Sequence, residues 1–546
     1  MRASPKIASC WWLCAFAVFF SLQTVPRIFI ESPINDEPID LTDGYFYWKG
    51  DVTTDGSHPP FLKMLQALPL RAMNLSDSVD PKMKLPLERA YNFLFVQNKE
   101  HFEGMVSLGR FTTLFFALGI GWLIFRLTRK GTLVVCISAM ILWVFEPTTL
   151  AFSSLCGSDI PGTFFFVSAI LVFQKFLENR GVKWGLALGT LTTMAVFSKF
   201  SNLFLVPIFI ILELAQVWRL KRPTFPRISL ILKSYGAALL VFFFFIFLLY
   251  LPGTLGDPSH QSPFAYLFQN IRAIIFIFSQ HHPNYFLGLG SRHNNWFYFP
   301  VAFALKTTLP FFILTALALG MGLAKKITFP PWIWIPPLLF FAFILNVQNM
   351  GVRYLLPAFP FLILMGALVL GQLWKWKPHW GGRVGKILVV GLLLWHSVSV
   401  LSNYPNMIGY FNDFIPESKK VYYLGDTNLD FGQDVKKFAR AAQEKGWKKV
   451  KLAQFGGTTD PSFYGFAWSP WTQKDLAGPQ PGWVYAVNMT MLQLGPLFQP
   501  DLTPIAQSWV INLPPTGRIG NSWIYFEVPG EPHPDSSPAL SSVRIF

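Results

Sequence analysis

Three carboxylates and four basic side chains stand out by position. Asp36 and Glu37 form an acidic pair a few residues beyond the first apolar segment, and Asp159 lies in "CGSDIPGTFFF" between the third and fourth. Lys63, Lys199, Arg292 and Arg353 stand at segment ends or in the loops between segments. A carboxylate at a membrane edge can take a proton from a hydroxyl, and cations beside it can neutralise a phosphate as it leaves. Arg binds phosphate in bidentate fashion, Lys as a point charge. A glycoside hydrolase would instead want two carboxylates flanking one bond. Each residue also has a plainer role. Asp before a Pro-started helix is what capping predicts for Asp159. Lys63 and Arg353 suit side chains that snorkel to headgroups. Asp40, Asp43, Asp51 and Asp55 show that loop acids are ordinary here.

The elements that must position these residues are apolar. The chain is 52% hydrophobic and 14% charged, where a soluble domain carries about 25% charged residues. Runs long enough to cross about 30 Å of hydrocarbon recur at 8–30, 106–126, 131–149, 160–178, 184–198, 201–218, 230–252, 299–323, 331–347, 354–374 and 385–403. The expectation is a membrane all-α bundle of about eleven transmembrane helices, with amphipathic outside-face helices and a small C-terminal α/β domain. With the N-terminus inside, the loops "FRLTRK", "QKFLENRGVK", "RLKRPTFPR", "AKKI" and "WKWKPHWGGRVGK" all fall inside and all are basic. The net charge of +16 is therefore largely topological and does not imply nucleic acid. The first run lacks a small-x-small cleavage site and reads as an uncleaved anchor.

This topology puts 31–105, 253–298 and everything after about 404 on one outer side. Residues 1–403 read as the multi-pass domain, 404–530 as the outside α/β domain and 531–546 as a mobile tail. In the first loop, "PPFLKMLQALPLRAM" predicts a Pro-started amphipathic helix at the membrane surface, with Lys63 in its first turn beside free backbone N–H groups. The loop 253–298 is rich in His, Asn and aromatics, and His281 and His282 are a weak metal signal. The stretches "KKVYYLG", "KKVKLAQFG", "GWVYAVN" and "SWIYFEV" read as strands, with a helix at 432–445. "LGDTNLDFGQD" suits turn and helix-cap duty, with acceptor contact the alternative. Cys10, Cys14, Cys136 and Cys156 lie in or beside spans, so no disulfide scaffold is indicated. No nucleotide-binding glycine motif and no HExxH or CxxC motif occurs.

An acidic pair after the first span, "HPP" some twenty residues later, an amphipathic helix and an Asp after the third span together resemble the dolichyl-phosphate-mannose protein mannosyltransferases. These are C-type glycosyltransferases, to which the bacterial aminoarabinose transferases are related. "NNWFYFPVAFALKTTLPF", "NMGVRYLLPAFPFLILMGA", "FSKFSNLFLVP", "NYPNMIGYFNDF" and "LGDTNLDFGQDVKKFA" resemble the bacterial branch, and the resemblance spans roughly 8–445. It implies the GT-C fold and transfer of a mannose-like sugar from a polyprenyl-phosphate carrier to a hydroxyl of a protein, lipid or glycan, with inversion. It implies Asp36 as base with Glu37 as its partner, Asp159 as a second acid that places the acceptor or a metal, and His58 as the His of the "HPP" step. Lys63, Lys199, Arg292 and Arg353 are the phosphate candidates. "HPPF" replaces the usual "HPPL", and the loop differs more from the aminoarabinose enzymes. No metal site is assigned and the need for a divalent metal stays open; the lipid-linked sugar is a substrate, and membrane lipids are the remaining partners. The expected place is a bacterial cytoplasmic membrane with the site on the periplasmic side. The rival reading is a multi-pass transporter or flippase of lipid-linked sugars. That class places charges and broken helices near the midplane, whereas these acids lie at one face.

Overall fold

The computed structural model describes residues 5–530 apart from 52–57, 79–82, 84, 220–227, 257–260, 346, 377–382, 456–458, 499–504 and 506–507. The expected tail at 531–546 and most of "RLKRPTFPR" lie outside the described residues.

The chain is a multi-pass membrane protein. Among the described residues seven helices are long and apolar enough to span: Trp11–Ile30, Phe102–Thr128, Asp159–Glu178, Phe200–Trp218, Ser229–Gly256, Val352–Lys375 and Val384–Leu401. An eighth span is the pair Leu133–Val144 and Pro147–Ser153, bent by 55°. The bend has a local cause. Pro147 has no N–H to continue the first helix, and the Glu146 carboxylate accepts the Thr148 and Thr149 N–H groups to start the second. The count of eleven is not reached by length. At the three other expected positions lie shorter helices: Val182–Ser198 of 17 residues, Leu309–Leu323 of 15 and Pro331–Ile344 of 14. The run 299–323 breaks at Thr307 and Thr308, where the Thr308 hydroxyl caps a new Pro-containing first turn.

Burial sorts the spans. Val352–Lys375 is enclosed on nearly every side, while Ser229–Gly256 keeps most of its surface outward. Both are apolar around the whole circumference, so periodicity alone does not tell an inner span from a lipid-facing one. Aromatic stacking stitches the interior, as with Phe20 on Trp143 at 4.3 Å and Phe173 on Phe209 at 4.3 Å.

Among the described residues the long loop after the first span is mostly helical, with Glu37–Tyr47, Pro60–Ala67 and Pro86–Tyr91. Pro60–Ala67, expected as an amphipathic surface helix, is largely enclosed by protein. It is buried against Glu37–Tyr47 and the spans, because Gly44 lets the two helices touch where any Cβ would meet the Lys63 carbonyl. The apolar helix Pro263–Ser279, by contrast, exposes Phe264, Phe268, Ile275 and Phe276.

The C-terminal part holds a five-stranded sheet in the spatial order Ser469–Pro470, Val450–Ala453, Val484–Asn488, Trp523–Glu527, Gly517–Ile519. The first three pair in parallel and the last two antiparallel. The strand expected at "KKVYYLG" is a 3-10 turn, Glu417–Tyr422, followed by a single bridge from Leu424 to Phe286. Helix Val435–Glu444 covers the sheet through Phe438, which packs on Trp523 at 4.7 Å.

Candidate active site

Segments far apart in the chain converge on one cleft. It is lined by Ile34, Asp36 and Asp40 from the loop after the first span, His58 of the "HPP" step, Gly157 to Asp159 before the fourth expected span, Arg353, and Phe431 from the C-terminal part.

Arg353 stands between the two acids. Its Nη1 lies 3.6 Å from Asp36 Oδ2 and 3.5 Å from Asp159 Oδ2. The Lys199 ammonium pairs with the other Asp159 oxygen and rests 4.1 Å above the Tyr354 ring. The Arg353 guanidinium is 4.7 Å over the Phe431 ring, and its buried Nε has no hydrogen-bond partner among the described residues. The two acids differ in environment. The Asp36 side chain is 43% exposed and that of Asp159 5%. Asp159 therefore works as the counter-ion of two buried cations, and Asp36 has an open face toward the cleft. Asp159 does not cap its helix: it is the first residue of Asp159–Glu178, with Ser158 at the cap position and no side-chain cap bond.

Glu37 turns away from the cleft. Both its oxygens accept from Arg110, at 2.8 and 2.7 Å, and it also accepts from the Ile34 and Cys156 N–H groups. Arg110 further donates to the carbonyls of Ile28, Glu31 and Ser32. The pair fixes the turn that presents Asp36. Lys63, expected near a headgroup phosphate, is buried between Asp43 at 2.8 Å and Asp40 at 3.2 Å. Arg292 is exposed and away from the cleft, donating to the Leu497 carbonyl. The structure thus brings together Asp36, Asp159, His58, Lys199 and Arg353, and leaves Glu37, Lys63 and Arg292 outside. Among the described residues no group of three His, Cys, Asp or Glu side chains is placed to hold a metal.

Four participants were not singled out from sequence. Arg110 carried a usable signal, since an arginine inside a span is costly and marks a special environment. Tyr354 and Phe431 carried none beyond being aromatic. Asp426 sits in "LGDTNLD", in a left-handed conformation (φ 53°) tolerated by Asp. Burial pushes its carboxyl up, His282 and Arg353 pull it back, and Asp36 raises it further. The C-terminal part therefore places a titratable carboxyl within electrostatic reach of Asp36 and Arg353.

Residues 35–256 match the family model described as dolichyl-phosphate-mannose-protein mannosyltransferase, a stretch that includes Asp36, His58, Asp159 and Lys199. No match is found among curated protein sequences. Among solved structures, ArnT from Cupriavidus metallidurans bound to undecaprenyl phosphate is 11% identical at TM-score 0.45, covering 94% of this chain and 98% of that one. The apo state of the same protein is 11% identical at TM-score 0.46, covering 95% and 98%. The S. cerevisiae protein O-mannosyltransferase Pmt1-Pmt2 complex bound to the sugar donor is 20% identical at TM-score 0.32, covering 50% of this chain and 35% of that one.

Proposed function

We propose that the protein is a membrane glycosyltransferase that moves a mannose-like sugar from a polyprenyl-phosphate carrier to a hydroxyl acceptor. The observation that carries this reading is the Arg353 guanidinium held between an open carboxylate, Asp36, and a buried one, Asp159, with Lys199 alongside. The family match over residues 35–256 supports the same class.

In this reading the donor phosphate sits against Arg353 and Lys199. Asp36 takes the proton of the acceptor hydroxyl. That oxygen attacks the anomeric carbon from the face opposite the phosphate, and the bond from that carbon to the phosphate oxygen breaks. The configuration inverts, and the carrier leaves as polyprenyl phosphate carrying the negative charge. A phosphate is already a good leaving group, so cations suffice and a general acid is not required. Asp159 holds the two cations in place before donor arrives. The basic loops assign the opposite ends of the spans to the cytoplasm. The cleft and residues 404–530 then face outward, on the periplasmic side of a bacterial cytoplasmic membrane.

The test uses purified protein in lipid with radiolabelled polyprenyl-phosphate mannose, glucose and aminoarabinose. Sugar transfer or slow release by wild type, lost in Asp36→Asn with donor binding retained, is the expected result. Absence of binding to every lipid-linked sugar would sink the reading.

A further inference from the structure

The catalytic cleft is split between two backbone segments far apart in the chain. Residues 31–37 carry Asp36 and residues 350–353 carry Arg353. One stretch of the C-terminal part, Asp426–Asp434, is hydrogen-bonded to both.

At the Arg353 end the contacts are backbone-specific. The Asn428 Oδ1 accepts the Val352 N–H at 2.9 Å, and the Thr427 hydroxyl donates to the Met350 carbonyl at 2.7 Å. Asn428 Nδ2 donates to the Tyr298 hydroxyl at 2.7 Å and to the Gly425 carbonyl at 3.1 Å, which leaves the amide one orientation. The buried Lys306 ammonium donates to the Asn428 carbonyl at 2.6 Å. Gly351 sits at φ 111°, and a Cβ there would strike the Thr427 hydroxyl. At the Asp36 end the Ser32 N–H donates to the Gln433 carbonyl at 3.0 Å and the Asn35 N–H to the Phe431 carbonyl at 3.3 Å. The Ser32 hydroxyl donates to the Gly432 carbonyl at 2.9 Å. Between these ends the stretch is braced internally. Gln433 donates to the Leu429 carbonyl at 3.1 Å and accepts the Phe431 N–H at 2.7 Å. Phe431 itself lines the cleft under the Arg353 guanidinium.

We infer that Asp426–Asp434 is a positioning clip that sets the separation of the base and the phosphate cation, with Asn428 its central positioning residue. The inference rests on the transfer reading above. Asn suits the role because one short side chain must accept from an N–H and donate to an oxygen at once. Asp cannot donate, and Ala can do neither. Thr427 offers a milder probe, since Val keeps its shape and loses only the hydroxyl.

The experiment compares wild type, Asn428→Ala and Thr427→Val, full length in lipid, by steady-state kinetics with the polyprenyl-phosphate sugar that wild type uses. Amide hydrogen exchange is read on peptides containing Val352 and Asn35. A displaced Arg353 weakens donor engagement, whereas a smaller folded fraction lowers only the apparent kcat. The expected result is a donor KM raised about tenfold or more in Asn428→Ala and by less in Thr427→Val, with faster exchange at both peptides. An unchanged donor KM, whatever happens to kcat, would overturn the clip. So would faster exchange at Val352 with Asn35 unaffected. Should Asn428→Ala fail to fold, Thr427→Val decides by the same two readouts. Wild type that transfers no sugar from any carrier instead refutes the function, a different result from active wild type with an unmoved KM.

Discussion

Arg110 grips both carboxylate oxygens of Glu37 at 2.8 and 2.7 Å, with neither side chain reaching solvent. The remaining guanidinium protons go to three carbonyls of the Ile28–Ser32 turn. Removing either partner strands a buried charge, at a cost of about 3–5 kcal/mol. Glu37→Gln and Arg110→Met are each expected to lower the thermal midpoint strongly. Pairing Glu37→Gln with Arg110→Met should recover part of the loss, because no unpaired charge remains. Thermal unfolding of the four proteins in lipid checks this, and additive losses would contradict it.

Asp36 and Glu37 are adjacent in sequence and separable in effect. Asp36→Asn is expected to lower turnover by about 10²–10⁴-fold, the range of a general base, with little change in melting. Glu37→Gln should lose stability first and activity as a consequence. Parallel turnover and melting measurements distinguish the two.

Arg353→Lys keeps the charge and loses the guanidinium whose Nη1 reaches both Asp36 and Asp159. Weaker donor binding is expected, by about tenfold, matching the 1.4 kcal/mol scale of one charge-assisted hydrogen bond. Titration with polyprenyl-phosphate sugar measures it. Undiminished affinity would remove Arg353 from the phosphate site.

Gly44→Ala pushes a methyl into the Lys63 backbone carbonyl, which cannot swing aside as a side chain can. The expected loss is about 1–3 kcal/mol. It should appear as a lower melting temperature together with looser protection of Pro60–Ala67 in hydrogen exchange.

Two carboxylates outside the spans give opposite pH limbs. Burial pushes Asp430 up to about 7, against hydrogen bonds from Thr490 and Gly432. The folded state thus holds this proton more tightly than the unfolded chain, and stability falls as pH rises from about 4 through about 7. Asp475 is opposed by burial, but Lys451, Thr472 and Tyr485 outweigh it and hold the carboxyl down to about 2. Its contribution is complete above the ordinary carboxylate range and is lost as pH falls toward 2. Melting followed by tryptophan fluorescence should show both limbs. Asp430→Asn should flatten the upper one and Asp475→Asn the lower.

Much of the architecture is legible in the residues themselves. Span positions follow from apolar length, and each expected span carries a helix. The strands at "GWVYAVN" and "SWIYFEV" follow from β-branched and aromatic runs. Two stretches depart from their local patterns. Helix Pro60–Ala67 has Lys63 among apolar residues and looks like a surface helix, because amphipathic patterning marks a polar face without saying whether water or Asp40 and Asp43 will meet it. "KKVYYLG" has strand composition, yet it is a 3-10 turn followed by a single bridge from Leu424 to Phe286.

What the sequence alone determined is the class of the molecule, a multi-pass membrane protein. Hydrophobic length and the basic loops are local properties, fixed by the cost of placing charge in hydrocarbon and independent of how the helices pack. Asp36, Asp159, Lys199 and Arg353 were legible as candidates for the same reason, since each is a charge at the edge of an apolar run. Only the tertiary structure decided which of them meet. Glu37 and Lys63 have the same chemistry and comparable positions, but their charges are consumed by Arg110 and by Asp40 and Asp43. Ion pairing is settled by distances between segments hundreds of residues apart, such as 31–37, 350–353 and 426–434, and spacing along the chain does not encode those distances.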